Sequence, residues 1–213
     1  MELRHQNDYN RLAPFYDWLG HSVYFGQIGR SQREYLNQIP KGSRILFIGG
    51  GTGFLLNDLL ETAEPSEIVY IEKSSQMIRK SIKACTHPDK AKVTFIHGTQ
   101  EDLKPEDSFD VILTFFFFDQ FRLFTIEKIF LQLEMHLKDE GLWLWADFIP
   151  PQTWWQKVLM KTMIVFFKLT TELGTNEVFS VPELFSPRGY RIQNEAFFYG
   201  GFIRSVVLKK VNV

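Results

Sequence analysis

The run Ile45-Leu46-Phe47-Ile48-Gly49-Gly50-Gly51-Thr52-Gly53 constrains this chain more than any other. Four apolar residues, two of them β-branched, read as a buried strand. The glycines directly after it read as a turn into a helix, expected from Phe54 to about Ala63. Glycines at 49, 51 and 53 let the backbone take positive φ and approach a ligand with no Cβ between. The first N–H groups of that helix would point into the turn and favour a carboxylate or phosphate. Spacing separates two ligand classes. A dinucleotide turn wants G-x-G-x-x-G, yet the sixth position counted from Gly49 is Phe54.

Strands and helices alternate beyond this point. Ile68–Ile71 is a second short apolar strand ending at Glu72, and Ser74 or Ser75 can cap a helix reaching about Cys85. Val93–His97 is a third strand. Phe109–Thr114 is a fourth, running on as a strand-like stretch into Phe115–Phe118. Thr125–Leu137 has helical spacing, with Ile126, Ile129, Phe130, Leu133 and Leu137 on one face and Gly141 after its end. Leu142–Phe148 is a fifth strand, and Arg191–Tyr199 and Phe202–Lys209 form a hairpin about Gly200-Gly201. The pattern predicts an α/β fold, a doubly wound sheet that binds ligands at the carboxyl ends of its strands.

Composition narrows the classes. A length of 213 residues fits one domain (1–213), with 45% hydrophobic and 23% charged residues as in globular chains. A formal charge of −1 offers no case for nucleic acid. One cysteine excludes an internal disulfide and a cysteine-rich zinc site, and the five histidines show no metal-ligand spacing, so no metal is expected. The polar start, Met1–Asp8, has no apolar core region, and no uncharged apolar stretch is long enough to span a bilayer. A cytoplasmic protein is the expectation.

The G-x-G-x-G turn resembles motif I of the class I S-adenosylmethionine-dependent methyltransferases, commonly close to V-L-D-I-G-C-G-T-G. The segment Tyr9–Gly26, containing Ala13-Pro14-Phe15-Tyr16-Asp17, resembles the start of the menaquinone and ubiquinone C-methyltransferases, and Val181–Val207 is loosely similar to that family's end. The resemblance implies a Rossmann-like sheet of seven strands, mostly parallel with an antiparallel C-terminal hairpin. Residues 1–40 would be a helical lid, 41–150 the cofactor core, and 151–213 a cover helix and the hairpin.

It also implies a binding set for S-adenosylmethionine. Gly49, Gly50, Gly51 and Gly53 would form the turn, Glu72 (followed by Lys73) the ribose acid, and Tyr16 a contact at the methionine end. Gly98-Thr99-Gln100-Glu101-Asp102 resembles the adenine-reading segment, but Thr99 stands where the first acid is usual, so Glu101, Asp102 or backbone must serve. Phe47 stands where motif I carries an acid, leaving the methionine ammonium to backbone carbonyls, such as those of Gly49 or Thr114.

By the same resemblance the acceptor site begins after the fourth strand, with Asp119, or Asp147 on the fifth strand, as the only general-base candidates. The acceptor would be a small, largely apolar or aromatic molecule, quinone-like or phenolic. Competing readings are a cofactor-binding protein without catalysis and, third, a nicotinamide-dependent oxidoreductase. Trp154–Leu169 reads as a helix with Lys157, Lys161 and Lys168 within about 40° of one another and apolar residues nearly everywhere else. Such a helix covers a pocket, dimerises, or contacts a membrane surface. A monomer and a homodimer both remain open.

Overall fold

The structure, a computed structural model, describes residues 26–87, 91–170 and 178–210, with residues 166–170 given by backbone alone. Seven strands form one sheet: β1 (Arg44–Ile48), β2 (Glu67–Glu72), β3 (Lys92–His97), β4 (Phe109–Phe115), β5 (Leu137–Phe148), β6 (Tyr190–Phe198) and β7 (Ile203–Lys210). Their order is β3-β2-β1-β4-β5-β7-β6. The first five run parallel, and β7 is antiparallel to both β5 and β6. The helices are α1 (Gln27–Arg33), α2 (Leu56–Ala63), α3 (Ser75–Ala84), α4 (Leu123–Glu134), α5 (Trp154–Thr170) and α6 (Val181–Phe185). This is the Rossmann-like sheet with an antiparallel C-terminal pair that the residue pattern and the resemblance implied. Strand order reverses between β1 and β4, which opens a crevice beyond their carboxyl ends.

Side-chain alternation along β1 explains why its whole run is apolar. Ile45 and Phe47 face one cluster with Leu56, Leu59 and Leu60 of α2. Leu46 and Ile48 face the other, with Ile126, Phe130 and Leu133 of α4 and Phe185 of α6. The second cluster is strongly aromatic. Phe130 stacks on Phe185 with ring centroids 3.9 Å apart and on Trp143 at 5.0 Å.

Three expectations are corrected. The helix after the glycine turn begins at Leu56 rather than Phe54, because Gly53 and Leu56 first close turns onto Gly50 and Gly53. Helix α4 ends at Glu134, and Leu137 opens β5 instead of closing the helix. The His136 carbonyl accepts from the Phe109 N–H at 2.8 Å, which pulls the chain into the sheet early. Gly141 then lies inside β5, beside a register shift against β4 and next to Glu140 at φ 62°. That combination is a β-bulge. Finally, the phenylalanine run is not strand-like throughout. Strand β4 stops at Phe115, Phe116 sits at φ 49°, and Phe118–Gln120 form a single 3₁₀ turn.

Phe47 occupies the centre of the α2-side cluster. It is 1% exposed and meets Tyr70 and Phe115 edge-on, with centroids 5.2 and 6.0 Å away. Its ring neighbours offer a carboxylate only the Tyr70 hydroxyl, which is already bonded to Gly51. Restoring the acid of motif I by Phe47→Asp is therefore expected to unfold rather than improve the protein. It removes a large ring and buries a charge, a cost of more than about 3 kcal/mol. Urea unfolding checks this. A midpoint unchanged from wild type would contradict it.

Candidate functional site

The glycine turn is held from beneath by β2. Tyr70, the fourth residue of that strand, lies under the loop and donates its hydroxyl to the Gly51 carbonyl at 3.0 Å. Burial pushes the Tyr70 phenol far above its usual range, so it stays protonated and remains a donor. A Cβ on Gly50 would lie 2.4 Å from that ring, and one on Gly53, at φ 81°, would lie 2.7 Å from the backbone of Ser81 on α3. These two glycines serve close packing from inside. Gly51 differs: it has φ 64°, and among the described residues a Cβ there would meet nothing within 4 Å. Its outer side is open toward the crevice with respect to the described residues.

Glu72, the last residue of β2, is 8% exposed. Its carboxylate accepts from the Gly51 N–H at 3.0 Å and from the Ser74 N–H at 2.7 Å. Burial raises its pKa, and these backbone donors pull it back down. Each carboxylate oxygen still has a second lone pair for a ligand hydroxyl. Lys73 beside it is exposed, and its carbonyl contacts the His97 ring at 3.0 Å.

Beyond β3, Gln100–Asp102 form a 3₁₀ turn capped by Thr99. The Thr99 hydroxyl accepts from the Glu101 N–H, and the Asp102 carboxylate accepts from the Thr99 N–H at 2.8 Å. Gln100 donates to Gln132 at 3.1 Å, and Glu101 lies 3.7 Å from Lys128 at the surface. The Thr99 hydroxyl thus serves as a capping group for the turn that follows β3. Thr114 is fully buried, and its hydroxyl accepts from the Trp143 indole at 2.9 Å, so its side chain belongs to the core. Tyr16, and with it residues 1–25 of the expected lid, lies outside the described residues.

The loop after β4 brings together what the sequence left apart. Phe117 presses on the turn so closely that a Cβ on Gly49 would sit 2.6 Å from its ring. Phe116 packs edge-on to Phe148 at 5.3 Å, below α5. Between them, Asp119 meets Asp147, which is 1% exposed near the end of β5. The Asp147 carboxylate accepts from the Phe148 N–H at 2.9 Å and the Asp119 N–H at 3.2 Å. It therefore caps the 3₁₀ turn that carries Asp119. The two carboxyls lie close enough to influence each other's ionisation. Burial raises both, and the charge of Asp119 raises Asp147 further. Asp119 as a residue is half-buried, but its Oδ1 is enclosed and has no hydrogen-bond partner among the described residues. Two residues named separately as base candidates are thus one pair. Nothing in the spacing of 119 and 147 could reveal it, since it arises where adjacent strands end side by side.

Helix α5 packs beside this corner. Met160, with Trp155, Leu159 and Met163, meets Phe148, Phe202 and Ile203. Gln156, which composition hides among apolar neighbours, is 1% exposed. It donates to the Gly200 carbonyl at 2.9 Å and accepts from the Gln152 and Thr153 N–H groups, tying the helix start to the hairpin turn. The lysine stripe marks only part of the outward side. Lys157 and Lys161 are exposed, but so are Trp154, Val158 and Val165. A single neighbouring surface covers one side of a helix, not the whole apolar arc. The side chain of Lys168 is not described.

Among the described residues no group of His, Cys, Asp or Glu could hold a metal, and no helix is long and apolar enough to cross a membrane.

Residues 46–143 match the family of methyltransferase domains, a stretch running from β1 into β5. No curated protein matches the chain. Among solved structures, the DhpI–SAH complex is 14% identical over 96% of this chain and 94% of that one, with TM-score 0.70. The PH0226 protein from Pyrococcus horikoshii is 18% identical over 96% and 99%, with TM-score 0.69. The N-methyltransferase NodS from Bradyrhizobium japonicum is 9% identical over 87% and 97%, with TM-score 0.64. At these identities the likeness is one of fold.

The acid pair gives the protein a calculable pH dependence. Unfolded aspartates titrate near about 4, whereas the folded pair holds its protons higher, Asp119 to about 7. The pair's contribution to stability is thus complete below about pH 4 and is lost as pH rises through the folded value. Unfolding free energy should fall from about pH 5 to about pH 8, and Asp119→Asn should flatten that slope. Urea titrations at the two pH values measure it; an equal slope in the variant would contradict the assignment.

Proposed function

We propose that this chain binds S-adenosylmethionine in the crevice beyond β1 and β4 and transfers its methyl group to a small aromatic acceptor bearing a hydroxyl. The observation that carries the first half is the construction of the turn. Gly51 is open on its outer side, is anchored through its N–H to Glu72, and follows β1 within the stretch matching methyltransferase domains. Glu72 would hold the ribose hydroxyls, Gly49–Gly53 the methionine portion, and the Thr99–Asp102 backbone the adenine edge. When bound, the cofactor supplies a methyl group on a sulfonium already activated for transfer, so alignment carries much of the rate.

The second half rests on Asp119. A buried acceptor oxygen without a partner calls for a donor, and its surroundings, Phe116, Phe117 and Phe118, suit an aromatic ring. Asp119 would take the hydroxyl proton at Oδ1, while Asp147, accepting from the Asp119 N–H, fixes the turn. A phenolic or reduced-quinone acceptor has the required chemistry. Proline and aromatic residues of the 1–25 segment, Tyr16 included, would close over the cofactor as a lid. The reading without catalysis is disfavoured by the same pair, since a chain kept only for binding has no use for a buried orphan carboxyl at the acceptor corner.

Calorimetric titration tests the cofactor. S-adenosylhomocysteine should bind and NAD should not. Glu72→Ala should weaken binding at least about tenfold, since hydrogen bonds to a charged group contribute roughly 1.5–3 kcal/mol each. Binding of NAD alone would replace this reading with the oxidoreductase one. In the S-adenosylhomocysteine-loaded protein, phenol should bind more tightly than anisole, which lacks the hydroxyl proton, and Asp119→Asn should erase the difference. Equal binding of the two probes by the wild type would remove Asp119 from its role.

A further inference from the structure

Helix α5 has two faces with different fates. Its inner face lies on the apolar corner at the end of β5 and the start of β7. Its outer face leaves Trp154 77%, Val158 57% and Val165 56% exposed. At about 100° per residue these three fall within about 40° of one another, and Lys157 and Lys161 flank them on one side. An exposed tryptophan in line with two exposed valines is more apolar surface than a helix facing water usually keeps.

Charge says what fits there. No acidic residue occurs between Pro150 and Thr170. Neither Lys157 nor Lys161 forms an ion pair with a described residue, unlike Lys138, paired with Asp110 at 2.8 Å, and Lys209, paired with Glu140 at 2.6 Å. A helix face combining a tryptophan, aliphatic side chains and uncompensated lysines matches the boundary of an anionic bilayer. There apolar groups enter the acyl region, an indole sits at headgroup depth, and ammonium groups meet phosphates. The helix begins just after Pro150-Pro151, and the exposed side chains of this face lie between Trp154 and Val165.

We propose that the outer face of α5 docks the protein on an anionic phospholipid surface. The inference goes beyond the methyl-transfer reading and does not depend on it. A second copy of the chain is the competing occupant. Two apolar stripes could pair, but the unneutralised lysines would then be brought together about the symmetry axis, with no acid on the same face to meet them.

Co-sedimentation of the full chain with vesicles decides between them. Phosphatidylcholine vesicles containing phosphatidylglycerol should carry the protein down, pure phosphatidylcholine should carry far less, and added salt should release it. The double variant Lys157→Glu/Lys161→Glu should lower partitioning at least about tenfold, and Trp154→Ser/Val158→Ser should lower it also at unchanged charge. Thermal melting of each variant should match wild type, since all four side chains point away from the sheet. S-adenosylhomocysteine titration of the same samples keeps the cofactor reading separate. Wild type that stays in the supernatant with anionic vesicles overturns the proposal. So does partitioning that survives the lysine reversal, or a dimer in sedimentation velocity that Val158→Ser dissociates.

Discussion

The organisation of this molecule depends on how β2 grips the glycine turn. Two side chains of one strand, Tyr70 and Glu72, reach the same residue, Gly51, one at its carbonyl and the other at its N–H. Because the side chains stand two positions apart they share a face of β2. A residue whose N–H and C=O are both held, fixing the peptide planes on either side of its Cα, has little freedom left. The turn is then fixed relative to β1, to α2 and, through the Ser74 N–H, to α3. Most of the turn's donors and acceptors are thereby arranged before any ligand arrives, so the ordering cost of binding is reduced.

That arrangement also accounts for Phe47. An acid under the loop is one way to orient it, and here a phenyl ring fills the position, packed against the ring of Tyr70. The hydroxyl of Tyr70 takes over the polar contact to the loop from the adjacent strand. The exchange replaces a buried charge, which would need compensation, with an aromatic pair and one neutral hydrogen bond. Phe47 and Tyr70 are thus physically coupled, the ring of one packing on the ring whose hydroxyl holds the loop.

Much of this was legible in the sequence, and the limits have physical causes. The strand before Gly49, the acid at Glu72 and the hairpin at Gly200-Gly201 are local signals, set by residues adjacent in the chain. The face of α4 formed by Ile126, Ile129, Phe130 and Leu133 is likewise a local periodicity, and it is the buried face. The end of that helix was not legible, because Leu137 suits a helix and a strand equally. The bond from the Phe109 N–H to the His136 carbonyl decides the matter, and Phe109 lies far from the helix in the chain. The Asp119–Asp147 pair and the Tyr70–Gly51 bond are also products of strand adjacency. Periodicity carries no information about which strand ends will be neighbours.

The acid pair and α5 occupy the same corner, and the costs they carry point the same way. Burying two carboxyls beside each other is unfavourable at neutral pH, and a helix with a tryptophan and two valines in water adds exposed apolar surface. Neither feature stabilises the fold. Gln156 shows that the corner is nonetheless built with care: it is fully enclosed, and its amide satisfies two N–H groups at the helix start and a carbonyl in the hairpin turn. A corner that is well bonded where bonding holds it together, and costly where it faces a ligand or the outside, is one shaped by what it contacts. The inner side offers a proton acceptor among phenylalanines, and the outer side offers an apolar, cationic face.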